Sequence, residues 1–201
     1  SAHLGNGCSV SAIKNGKSVD TSLGLTPLEG VMMGTRSGDL DPGIIFHLVN
    51  QLGYSIEQVS HLLNKESGLL GVSGLSNDCR EIEEAWLTDQ NPRAKLALDV
   101  FCYRIAKSIA SFSASLTSLD ALIFTGGIGE NSDLIRDGIV AQLSLLNFFV
   151  SSDKNMACRF GQSGFINTDH SRSILVIPTN EEWVIAEQTS QLLSNKTSGK
   201  V

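Results

Sequence analysis

Several stretches of this chain combine residue types that can hold or move an anionic group. HLGNG, His3 to Gly7, places two glycines where backbone amides can come within hydrogen-bond reach of an anion such as phosphate. A glycine bulge at a strand end, with His3 merely exposed, explains the same residues. TGGIGEN, Thr125 to Asn131, follows an apolar run and opens a helical pattern, so that unpaired amides and the positive end of a helix dipole face whatever lies beside them. It has neither the lysine of a Walker A loop nor the spacing of the dinucleotide fingerprint. A packing turn is the alternative.

Single side chains add to these turns. Arg36, in MGTRSGDLDP, is an arginine among small residues, and its planar fork suits a pair of phosphoryl oxygens. An ion pair with Asp39 or Asp41 is the competing explanation. Asp78 and Arg80, in NDCRE, serve either as ligand contacts or as a helix cap with a surface charge. In TNEEW, Thr179 and Glu182 form a capping-box pattern, which leaves Glu181 as a spare first-turn carboxylate able to hold magnesium or to offset the helix dipole. His47, His61 and His170 receive no role.

The elements that must position these residues follow from periodicity and turn chemistry. Cys8 to Lys14 alternates, and Asn15-Gly16 is a type I′ signal leading into a second extended stretch to Ser22, a hairpin. TPLEGVMMGTRSGDLDPG, with four glycines and two prolines, reads as an ordered loop. Asp41-Pro42 opens a helix with an apolar stripe of Ile44, Ile45, Leu48, Val49 and Leu52. Ser55 and Gln58 make a capping box for a second helix that Gly68 ends, and GLLGVSGLSND reads as loop.

Asn77 or Asp78 caps a short helix through Trp86, and Asn91-Pro92 opens a long one with Phe101, Ile105, Ile109, Phe112 and Leu116 facing the core. Ala121 to Phe124 is a buried strand, TGGIGEN a glycine loop, and Leu134 to Leu143 a helix. Ile174 to Pro178 is a further strand, followed by a helix from Thr179 to about Leu193, with NKTSGKV as a frayed tail.

Composition bounds the function. The 201 residues are 41% hydrophobic and 18% charged, enough for one domain with a core and against coiled coil or disorder. A net charge of -6 supplies no basic field for nucleic acid, so any phosphate must be held locally. Cys8, Cys79, Cys102 and Cys158 are widely spaced and complete no zinc pattern with the histidines, which favours a reduced, cytoplasmic setting. No apolar run approaches the roughly 18 residues of a membrane helix, and the start lacks the plan of a secretory signal. The chain opens at Ser1 and reaches HLGNG within two residues, which reads as a strand cut partway along and hence a fragment.

HLGNG, TSLGLTPLEGVMMGTRSGDLDPG, FTGGIGENS and PTNEE, in this order and at these separations, resemble the C-terminal half of the acetate kinase family, with propionate and butyrate kinases as near relatives. The resemblance implies an α/β, ribonuclease H-like domain of the actin, Hsp70 and sugar kinase superfamily, with a mixed sheet flanked by helices. Residues 1–178 would form the nucleotide-binding domain, and 179–201 a terminal helix packing back on the N-terminal half.

The implied activity is reversible transfer of the ATP γ-phosphoryl group to acetate, giving acetyl phosphate and ADP. Propionate is the alternative acceptor, and a non-catalytic nucleotide-binding module is the reading from another class. Carried over by position, His3, Leu4, Gly5, Asn6 and Gly7 contact phosphate. Asp78, Cys79 and Arg80 lie on the adenosine side, and Gly126, Gly127, Ile128, Gly129 and Glu130 form the nucleotide turn. Arg36 stabilises the transferring group, and Glu181 binds Mg2+ or Mn2+. The family's other catalytic residues fall before Ser1, so the resemblance implies a homodimeric enzyme that needs its N-terminal half for turnover.

Overall fold

The computed structural model describes residues 1–198. Its centre is a mixed sheet of β1 (Ala2–Leu4), β2 (Cys8–Lys14), β3 (Lys17–Thr21), β4 (Ala121–Thr125), β5 (Gly164–Phe165) and β6 (Ser173–Val176), in the order β3-β2-β1-β4-β6-β5. The hairpin is as expected: Asn15 and Gly16 take φ of 53° and 73°, Cys8, Val10 and Ala12 are buried, and Ile13 points outward. Strands β1 and β4 run parallel, as do β4 and β6, so the ends of β1, β4 and β6 open on one edge. In open sheets with parallel strands, that edge is where ligands bind.

Helices cover the sheet. Asn91 caps α5 (Pro92–Phe112), accepting from the Arg93 and Ala94 amides, and Ala94, Ala97, Leu98, Phe101, Cys102, Ile105, Ala106 and Ile109 are buried along one stripe. Phe112 is only partly buried and Leu116 lies beyond the helix end, so the expected stripe is shorter at that side. Ser55 and Gln58 form both bonds of the capping box of α2 (Ile56–Lys65). Asp41 Oδ1 accepts from the Gly43 amide at the start of α1 (Gly43–Asn50). The apolar stripe of α1 does not enter the core, for none of its residues is buried and Ile44, Phe46 and Leu52 are exposed.

Three readings from the sequence are corrected. GLLGVSGLSND is not all loop: Gly68 takes φ +64° and starts α3 (Gly68–Ser73), closed by Gly74 at φ +67°. TGGIGEN is itself a helical turn, α6 (Gly126–Asn131), which runs directly from β4 and is followed by α7 (Asp133–Val140), capped by Ser132. The predicted Thr179–Glu182 capping box gives way to a helix, α9 (Glu181–Ser198), that starts beyond Thr179, whose hydroxyl is engaged elsewhere. The tail expected to fray is helical from Asn195 to Ser198, and its last three residues lie outside the described ones. Cys8, Cys79, Cys102 and Cys158 are all buried and unpaired.

Candidate nucleotide site

The loop bearing Arg36 is held by backbone bonds to the start of α3. Leu69 N–H donates to the Met33 carbonyl, Leu70 N–H to Gly34 and Ser67 N–H to Thr35, all within 3.0 Å. A Cβ at Gly68 would stand 2.2 Å from the Met33 carbonyl, so only glycine permits that docking. The Gly34 amide donates to the Asn6 carbonyl at 3.0 Å, which ties this loop to HLGNG. Arg36 Nη1 donates to the Pro27 carbonyl at 3.1 Å and approaches Met33 Sδ at 3.5 Å.

Among the described residues Arg36 makes no salt bridge. Asp39 turns to Arg104 and to the Gly30 amide, and Asp41 to the Gly43 amide. The ion-pair explanation of this arginine therefore fails. A Cβ built on Gly7 would lie 3.6 Å from Arg36 Nη1, so the guanidinium stands against the HLGNG turn.

Within that turn the residues divide. Gly5 and Asn6 line a cleft of about 510 Å³, whereas Leu4 is fully buried in the core and His3 pairs in the sheet with Ser9 and Thr125, partly buried. Asp78, Cys79 and Arg80 line the same cleft at the start of α4 (Cys79–Leu87). Asp78 caps that helix and receives Arg80 Nε and Nη2 at 3.0 and 2.6 Å, so the cap reading holds and the arginine keeps the carboxyl below its usual range.

From the glycine turn, Gly127 and Ile128 line the cleft, and Gly126, Gly129 and Glu130 do not. Gly126 takes φ +79°, and a Cβ there would stand 2.7 Å from the Leu4 carbonyl. Its amide is already used, donating to Glu130 Oε1 at 2.9 Å. The same oxygen accepts from the Thr179 amide at 2.8 Å, so Glu130 ties the end of β4 to the chain leaving β6 rather than facing the cleft. The Gly129 carbonyl accepts from Arg136 Nη1 at 2.9 Å.

Other wall residues escaped the sequence reading. Asn77 Nδ2 donates to Asn6 Oδ1 at 3.0 Å and joins two walls. Glu83 sits one helical turn after Cys79, a spacing that marks a shared face. Burial raises its carboxyl above the usual range, against the weaker opposing pull of hydrogen bonds from Ser132 Oγ and Cys79 Sγ. Burial likewise pushes up the Cys79 thiol, and the nearby Glu83 carboxylate adds to the effect. Asn131 stands one turn after Gly127 and donates to its carbonyl at 2.9 Å. Arg159 and Phe160 come from a distant loop with no local signal, and Arg159 pairs with Asp133 at 3.0 Å.

Glu181 is exposed in the first turn of α9, two residues past Thr179, whose hydroxyl is 3.2 Å from the Gly126 amide. No cluster of three or more His, Cys, Asp or Glu able to hold a metal occurs among the described residues. A lone carboxylate is still the usual protein share of a magnesium that keeps its waters and the substrate's phosphate oxygens.

The model of the acetokinase family matches residues 1–187. The chain belongs to the acetokinase family. It is 62% identical over 193 residues to the acetate kinase of Shewanella sp. (strain ANA-3), covering 96% of this chain and 48% of that one. It is 61% identical to the acetate kinase of Shewanella oneidensis over the same shares.

Among solved structures, an acetate kinase from Porphyromonas gingivalis matches with a TM-score of 0.89 and 44% identity, covering 96% of this chain and 48% of that one. A propionate kinase from Francisella tularensis subsp. tularensis SCHU S4 matches with 0.85 and 48%, covering 90% and 46%. This acetokinase chain thus spans about half the length of the relatives it matches. With its mixed sheet flanked by helices, it has the fold of the actin, Hsp70 and sugar kinase superfamily.

Proposed function

We propose that this chain is the C-terminal, nucleotide-binding half of an ATP-dependent acetate kinase, which transfers the γ-phosphoryl group reversibly to acetate. The observation that carries the reading is a single cleft shared by Gly5 and Asn6, Asp78 to Arg80, and Gly127 and Ile128, with the unpaired guanidinium of Arg36 against Gly7. Residues 1–178 are the nucleotide domain, and the helix from 179 is the part that packs on the N-terminal half. The helix's exposed face from Glu181 to Ser194, with Trp183, Val184, Ile185, Leu192 and Leu193, supports this.

In this mechanism the adenosine lies in the cleft and the phosphates run toward the HLGNG turn. An acetate oxygen, already ionised at neutral pH, bonds to the γ-phosphorus while the bond from that phosphorus to the bridging oxygen of ADP breaks. No general base is needed, and catalysis is positioning and charge neutralisation. Arg36 meets the equatorial oxygens of the transferring group with its planar fork. Gly127 and Ile128, in the first turn of α6 where amides have no intrahelical acceptor, line the cleft and meet the nucleotide, while the Gly126 amide is spent on Glu130.

Glu181 is the residue that would hold Mg2+ or Mn2+, which when bound neutralises charge on the β- and γ-phosphates. Glu130 is less suited, because one of its oxygens already accepts three hydrogen bonds.

The acetokinase works in the cytoplasm as a homodimer, on small molecules and without nucleic acid. No described helix is long and apolar enough to cross a membrane. A propionate acceptor is the second reading, supported by the 48% identity to a propionate kinase. A non-catalytic nucleotide-binding module explains the cleft and leaves the Arg36 guanidinium without a task. Trapping of acyl phosphate as the hydroxamate tests the proposal: the chain joined to its N-terminal half produces it from acetate and ATP, and the chain alone does not. Enzyme-like rates from the chain alone would refute the division of labour.

A further inference from the structure

Costly features concentrate on one short segment at the rim of the cleft. Phe160 takes φ +53° in the left-handed region, where an aromatic residue is strained, and Gly161 follows at +84°. Phe160 is 79% exposed, yet it lines the same cleft as Asp78 and Arg80 at the start of α4. The backbone is pinned there, for the Phe160 amide donates to Asn131 Oδ1 at 2.9 Å, and the same Asn131 side chain donates to the Gly127 carbonyl.

Behind it, Arg136 is wholly buried and binds the Cys158 and Gly129 carbonyls at 3.0 and 2.9 Å, so the rim and the glycine turn share one anchor. The Arg159 guanidinium lies over the Phe160 ring, 5.0 Å from its centroid, and so covers one face of the ring and leaves the other for a ligand. Among the described residues the buried Arg159 Nε has no hydrogen-bond partner, a second cost borne at the same spot. A large aromatic held out of the core, in a strained backbone and at a fixed distance from the glycine turn, has the geometry of a stacking platform.

We infer that Phe160 is the base-stacking residue of the cleft, receiving the adenine ring of the nucleotide on its exposed face. The inference rests on the proposed nucleotide reading of the cleft and adds to it the residue that holds the base. Stacking of a base on an aromatic side chain is worth roughly fivefold to 150-fold in affinity, and it acts on the base alone. Loss of Phe160 therefore weakens nucleotides and spares ligands that are only phosphate.

The test is calorimetry on this chain with MgADP and with magnesium pyrophosphate. Phe160→Gly suits the positive φ and relieves its strain, so the variant folds; Phe160→Tyr keeps a ring. The expected result is a loss of about tenfold or more in MgADP affinity for Phe160→Gly. Pyrophosphate affinity stays unchanged in that variant, and Phe160→Tyr retains MgADP binding near the original. Unchanged MgADP affinity in Phe160→Gly, or equal loss of both ligands, would overturn the role of Phe160. If the unaltered chain takes up pyrophosphate but not MgADP, the nucleotide reading itself fails, and it does so before any substitution is made.

Discussion

Arg36 is the side chain on which the proposed chemistry turns, and its environment gives a sharp expectation. It is half-buried, free of carboxylates among the described residues, and anchored only to a carbonyl and a thioether. A guanidinium with no structural ion pair can be removed without breaking the fold. Arg36→Ala in the joined enzyme is expected to lower kcat by about a thousandfold or more while nucleotide Kd changes little. A variant with near-normal kcat would take Arg36 out of the mechanism.

Glu83 yields a second expectation at the same scale. Its carboxyl is raised by burial and, to a lesser extent, by the neighbouring charge of Asp133, with Arg159, Ser132 and Cys79 pulling the other way. The folded protein therefore holds this proton more tightly than the unfolded chain. The stability it contributes is complete below the ordinary carboxylate range and falls away as pH rises through the raised value. Glu83→Gln should flatten that decline, which urea denaturation midpoints between about pH 4 and 8 will read. An unchanged slope in the variant would show that Glu83 is solvated enough to titrate normally.

At the scale of elements, the expectations concern how the cleft is assembled. Arg136 is fully buried and makes no salt bridge among the described residues; it donates to Asn155 Oδ1 and to the carbonyls of Gly129, Asn155 and Cys158. It joins α6 to α8 (Ser152–Ala157) and to the rim beyond it. Arg136→Ala leaves buried acceptors unmet, and a loss of about 3 kcal/mol or more in unfolding free energy is expected. A smaller loss would mean that water enters and replaces the guanidinium. Gly68→Ala should also cost stability, since the new methyl would overlap the Met33 carbonyl and loosen the Arg36 loop.

These elements also mark what a sequence reveals. Ser55-Gln58, Asn15-Gly16 and Asn91-Pro92 are local chemistry satisfied within a few residues, and each appears as read. Within the candidate site, Gly5, Asp78 and Gly127 were legible because glycine turns and caps leave local marks. Arg159 and Phe160 were not, because their segment is held at the cleft by bonds to Asn131, Asp133 and Arg136, residues 20 or more positions away. The readings of α3 and α6 failed for a related reason: their glycines look like loop, and only docking against Met33 and Leu4 shows why each must be glycine within a helical turn.

For the whole molecule, the surface is as informative as the core. The described side chains of α9 are exposed from Glu181 to Ser194, so that helix owes its place to something other than burial on this domain. Thr179, by contrast, is bonded to Glu130 and Thr125. A chain ending at Asn180 should therefore melt at the same temperature as the longer one, a comparison that differential scanning calorimetry makes directly. A marked drop would place α9 within the cooperative unit and count against its assignment to the other half.

All four thiols are shut inside the native packing, and burial pushes those of Cys8 and Cys102 up to about 12. At neutral pH the Cys8 and Cys102 thiols hardly form the thiolate that attacks a maleimide, and the packing shields all four from the reagent. The protein thus carries four built-in clocks for its own opening, and a single cysteine grafted onto the surface would be the one handle that a fluorophore finds while those clocks are stopped.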